Sequence, residues 1–141
     1  MNHPHVIWEN ESNKPELIRT LRDNGYDIFE INGEIIHDLE TFFHQIVNIL
    51  PQDPPLSGQV NLDAFVDSLW GGIDNLSVEK VAILWTQINN MLYSAPQDLE
   101  KLTVCFNDVA ESLLTTEFGL DKPIVLTVYL FRNGNDLNLD N

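Results

Sequence analysis

The chain is poor in positive charge. Of its 141 residues only 7 are Lys or Arg, against 22 Asp or Glu, which gives a net charge of −15. A surface of that sign repels the phosphates of nucleic acid and of anionic membranes, so the partner it favours is a basic protein. The shortage is also local. No Lys or Arg occurs between Arg22 and Lys80, a span that holds Asp23, Asp27, Glu30, Glu34, Asp38, Glu40, Asp53, Asp63, Asp67, Asp74 and Glu79. Cysteine is nearly absent: Cys105 stands alone, so no disulfide can close within the chain and nothing points to an oxidising compartment. No apolar run approaches the ~18 residues needed to cross a bilayer, and Met1 to Trp8 lacks the apolar stretch of a signal peptide. The expectation is a cytoplasmic protein with no membrane partner.

Signatures of catalysis and metal binding are missing as well. There is no phosphate-cradling glycine loop, nucleophile elbow or zinc-ligand pair. His3 and His5 lie near the N-terminus, and His37 and His44 have no Cys or carboxylate at ligand spacing, so neither a metal nor another cofactor is expected. Cys105 falls near the apolar stripe of its helix and reads as a packed, inert thiol.

What is present is one domain's worth of chain with 43% hydrophobic residues, enough for a real core. His5 to Trp8 reads as a short strand. Asn13-Lys-Pro-Glu16 reads as a helix start with Asn as cap and Pro in the first turn, and Asn24-Gly25 as its stop. Tyr26 to Ile31 alternates as a strand does, before the turn dipeptide Asn32-Gly33. A helix is expected over Asp38 to Leu50, a proline-rich loop over Pro51 to Gly58, and buried strands at Val81–Trp85 and Ile124–Phe131. Between those strands lie a short helix at Gln87–Tyr93 and a long one at Asp98–Phe118 capped by Gly119. Strands alternating with helices imply a parallel sheet with helices on its faces.

The segment around which these elements are arranged runs from Gly58 to Gly72. Asn61 is a good helix cap and Gly71-Gly72 a good stop, which leaves about three turns between them. Leu62, Phe65, Val66 and Leu69 share a core-facing stripe, while Asp63, Asp67 and Trp70 share another face. Asp63 sits in the first turn, where the helix dipole favours an anion by roughly 0.3–1 kcal/mol, so local stability alone can account for it. Asp67 lies past that turn and four residues from a like charge, which costs about 0.2–0.5 kcal/mol in an isolated helix. Its gain must come from solvent or from a partner. Trp70 reads equally well as an interface anchor or as a side chain folded beneath the helix end. The two aspartates as a general acid and base form a third reading, but no further catalytic group accompanies them.

Ile31-Asn-Gly-Glu-Ile-Ile36 ahead of a helix, Gly58 followed by Asn61-Leu-Asp-Ala64 and Asp67, Ile83-Leu-Trp85, and Phe106-Asn-Asp108 together resemble the barstar family, intracellular inhibitors of the secreted ribonuclease barnase. The resemblance covers about Ile28 to Phe131, and its most specific part is the Gly-x-x-Asn-Leu-Asp-Ala-x-x-Asp segment. It implies an α/β fold in a three-layer arrangement, with a small parallel sheet of three strands packed with helices and room for a fourth strand from the N-terminus. It further implies no catalytic activity, and a binding surface made by the helix at 61–70 and the loop before it. By position Asp63, Asp67 and Asp108 would meet the basic residues of a cognate ribonuclease in place of RNA phosphates, with Asp67 central; Leu56, Ser57, Gly58, Asn61, Val66 and Trp70 complete the surface.

The chain also departs from that pattern. Leu56 and Ser57 stand where the family has two tyrosines, and one extra residue separates Gly58 from Asn61. Val66 stands where the family has a tryptophan, and Trp70 is displaced by two from a second. The expected organisation is an N-terminal strand and helix over 1–25, a barstar-like domain over 26–132 and a disordered acidic tail over 133–141. The expected function is inhibition of a cognate basic RNase by a protein that is monomeric when free; the alternative is an acidic adaptor of the same fold with a non-nuclease partner.

Overall fold

Four strands form one all-parallel sheet in the order β1-β4-β3-β2. They are β1 (Val6–Asn10), β2 (Asp27–Asn32), β3 (Lys80–Thr86) and β4 (Val125–Arg132) in a computed structural model that describes residues 3–134. Five helices connect and cover them: α1 (Lys14–Asp23), α2 (Leu39–Ile46), α3 (Leu62–Asn75), α4 (Asn89–Ser94) and α5 (Pro96–Leu113). The strand offered by the N-terminal residues is thus a true fourth strand, paired to β4 from Val6↔Val128 to Asn10↔Arg132. The expected tail lies, from residue 135 on, outside the described residues.

Alternation along the strands sorts the core into two layers. Val81, Ile83 and Trp85 of β3 join Leu126, Val128 and Leu130 of β4 under α2, α3 and α5. Ala82, Leu84 and Phe131 point the other way and are covered by α1 through Leu17, Ile18 and Leu21. β3 is buried along six of its seven residues because it has a strand on each side and helices on each face. The larger layer is welded by rings. Phe65 of α3 lies 5.6 Å from Phe42 and from Phe43 of α2 and 5.5 Å from Phe106 of α5, all near perpendicular, and Phe42 rests 4.9 Å from Trp85.

Several expected boundaries move, each for a local reason. α3 does not stop at Gly71-Gly72 but runs on to Asn75. The proline-rich segment lies directly on those glycines: a β-carbon at Gly71 would strike the Asp53 carbonyl, and one at Gly72 the backbone of Pro51 and Gln52. The contact is fastened by the Asp53 N–H donating to the Ser68 carbonyl at 2.9 Å and the Ser68 hydroxyl donating to the Pro54 carbonyl at 2.6 Å. The glycines therefore serve close approach and not termination.

α2 ends at Ile46, four residues early, because the Gln52 side-chain amide donates to the carbonyls of Ile46, Val47 and Leu50 and takes over the helix end. Its start is as expected, with Asp38 and Thr41 capping each other, and the N–H of Thr41 holds the Asp38 carboxyl below its ordinary pKa. α5 ends at Leu113 and not Phe118, since the Leu113 carbonyl accepts the Ile124 N–H at 2.7 Å and so turns the chain toward β4. Gly119, with φ +108°, belongs to the turn beyond and is no helix cap. Asn13 does not cap α1 with its side chain; it donates to Glu9 instead, and Asn10 caps a preceding 3-10 turn.

Gly72→Ala tests the glycine contact by its sign. In an open helix the change stabilises by roughly 0.5–1 kcal/mol, whereas here overpacking against Pro51 and Gln52 is expected to cost about 1–3 kcal/mol in urea unfolding. A stabilised variant would show that the loop does not sit on the helix.

Candidate functional site

α3 and α5 each precede a parallel strand on the same face of the sheet, so they run side by side in the same sense. The first turn of α3 needs no help from a partner. Asn61 caps α3 by accepting the Ala64 N–H at 3.0 Å, and Leu62, Val66, Leu69 and Trp70 turn toward the core. That packing leaves Asp63 and Asp67 exposed one turn apart. On α5, Leu99, Leu102, Phe106, Val109 and Leu113 are buried, and Asp108 is exposed.

Cys105 shows how the acids converge. Its thiol is buried between the helices and is pushed up to about 11, first by burial and then by the charges of Asp108 and Asp63. Two carboxylates from two helices therefore act on one atom. Asp67 lies one turn further along. It lines a cavity of about 440 Å³ with Val66, Trp70, Ser112 and Phe118. None of the three aspartates has a hydrogen bond or ion pair to another described residue. An uncompensated row of charge on two locked helices can meet a cation without first breaking an internal contact.

The other expected site residues fall into different settings. Leu56 packs against the core, and its N–H donates to the Gln52 side chain. Ser57 is exposed, with its hydroxyl oxygen accepting the Gln59 N–H at 3.4 Å. Gly58 has φ +92°, a backbone conformation open to glycine, and borders a second cavity with Ile35, Glu40, Thr41, His44 and Gln45. Val66 is half-buried. Trp70 is half-buried: it packs against the core and walls the cavity beside Asp67, with its indole Nε1 buried and unpartnered among the described residues.

Ser112 and Phe118 were not among the expected residues. Ser112 could have been found from Asp108, since it lies four residues on and shares its helix face. Phe118 could not, because the sequence pattern places it in the last turn of α5 and the structure places it in the loop after.

The convergence of Asp63 and Asp108 is checked by the pH dependence of Cys105 alkylation. The half-maximal rate is expected near pH 11 in the folded protein. Asp108→Asn and Asp63→Asn should each lower it, because a neighbouring negative charge disfavours the thiolate. A midpoint unmoved by either change would separate the acids from Cys105.

Among the described residues no group of three or more His, Cys, Asp or Glu is placed to hold a metal ion, and no helix is long and apolar enough to cross a membrane. No curated protein matches the sequence. A family model described as Barstar (barnase inhibitor) matches residues 26–130, most of the chain.

Proposed function

The chain belongs to the barstar family, and from that premise we propose that it inhibits a cognate basic ribonuclease by filling its RNA-binding cleft. The observation that carries the reading is the set of exposed carboxylates of Asp63, Asp67 and Asp108, unpaired among the described residues, on two helices locked together by Phe65 and Phe106. A cleft that binds RNA is lined with cations placed for phosphates. Carboxylates fixed at comparable positions replace those phosphates without the ordering cost of a flexible chain. Asp67 is the central group, and the loop residues Leu56, Ser57 and Gly58 with Asn61, Val66 and Trp70 frame it. No reaction is carried out by the chain: its role is protection of the cell that makes it, in the cytoplasm, as the antidote to a nuclease toxin.

Barnase with barstar is itself the standard example of association steered by charge, so the steering and its magnitude are taken over from that system. With a net charge of −15 the same physics applies here, and association should slow as salt is added.

A second reading, an acidic adaptor with a non-nuclease partner, draws support from Leu56, Ser57 and Val66, which stand where the family has aromatic residues. Capture of a basic protein that is no nuclease, with no inhibition across a panel of bacterial RNases, would favour it.

Asp67→Ala is expected to weaken binding to the cognate ribonuclease by about 2–5 kcal/mol, because basic groups of the cleft are left buried without a counter-charge. The melting temperature should not fall, since Asp67 is exposed and makes no hydrogen bond or ion pair among the described residues. Unchanged affinity in a titration removes Asp67 from the interface.

A further inference from the structure

Phe118 is 62% exposed, the most open of the large apolar side chains among the described residues, and Leu114 at the end of α5 is 44% exposed. Phe118 is not stranded at random: it walls the same cavity as Asp67, Val66 and Trp70. Leaving an aromatic ring in water forgoes about 25 cal/mol for each Å² that a partner would cover. The cavity therefore combines two aromatic walls, a small residue at Val66 and one carboxylate with no ion-pair partner among the described residues. A partner with an excess of positive charge complements that carboxylate, and a side chain with an apolar stem and a flat cationic head complements the walls.

We propose that this cavity seats one arginine of the basic partner, its guanidinium paired with Asp67 and its plane and stem against Trp70 and Phe118, and that Phe118 is a specificity-determining residue of the interface. The inference rests on the inhibitor reading and deepens it. It also assigns a role to the loop between α5 and β4, which supplies the aromatic anchor that the segment before α3 lacks in Leu56 and Ser57. Aromatic side chains beside a desolvated charge pair are the usual centres of binding energy, and they act chiefly on the rate of dissociation.

The test takes the ribonuclease that the unaltered chain inhibits most strongly, from a panel of small basic RNases that includes barnase. Phe118→Ala is expected to raise the dissociation constant about tenfold or more, through faster dissociation, at unchanged association rate and melting temperature. Phe118→Tyr should restore most of it. The nuclease's arginines, replaced by alanine one at a time, should include one whose loss matters clearly less when Phe118 is already alanine. Full affinity in Phe118→Ala, while Asp67→Ala loses it, would overturn the cavity's role and leave the inhibitor reading standing. Coupling of Phe118 to no arginine would overturn the proposed occupant. A chain that inhibits no member of the panel takes both readings down.

Discussion

The contact on which the rest depends is the ring packing of Phe65 against Phe42, Phe43 and Phe106. It joins α3 to α2 on one side and α5 on the other, over a floor provided by Trp85 of the central strand. Rings in edge-to-face contact contribute about 0.5–1.5 kcal/mol per pair beyond their area burial, and they fix orientation as well as distance. Once Phe65 and Phe106 are held in this way, the helical repeat leaves Asp63, Asp67 and Asp108 no inward position. The acids are outward because the aromatic side is full.

A second constraint acts on the same helix from outside. The segment from Pro51 to Pro54 lies along Gly71 and Gly72 and is fastened through Ser68, while Gln52 ties it to the end of α2. The residues leading into α3 are thereby held at both ends. β1 completes the sheet at the edge beside β4, and the residues just before it are bonded to α5: the His5 N–H donates to the Asn107 side chain, which donates to Glu111 at 2.8 Å, and His3 Nε2 lies 2.9 Å from a Glu100 carboxylate oxygen. The N-terminal strand, outside the residues that match the family model, is thus bonded to the middle of α5.

Much of this was legible in the sequence because the signals were local. Period-two and uninterrupted apolar runs gave the strands, and the stripe Leu99, Leu102, Phe106, Val109, Leu113 gave the buried face of α5. Asn61 and Asp38 cap where their chemistry predicts. What could not be read was decided by contacts distant along the chain. A glycine pair at a helix end looks the same whether it stops the helix or admits a neighbouring backbone, and only the position of Pro51 to Asp53 distinguishes the two. The end of α5 depends on Ile124, eleven residues beyond Leu113, and with that boundary Phe118 passes from the expected end of the helix to an exposed wall of the cavity in the loop beyond. The cavity that Trp70 walls likewise depends on α5, which supplies Ser112, and no spacing within α3 reveals it.

In the proposed complex a rigid acidic face occupies the place of RNA in a basic cleft. The inhibition pattern of the purified chain against a ribonuclease that it blocks, measured over a range of RNA concentrations, addresses it directly. The account predicts competition: apparent KM rises with the amount of the chain added, and kcat is recovered at high substrate. A fall in kcat with KM unchanged would place the chain elsewhere on the enzyme and contradict the account.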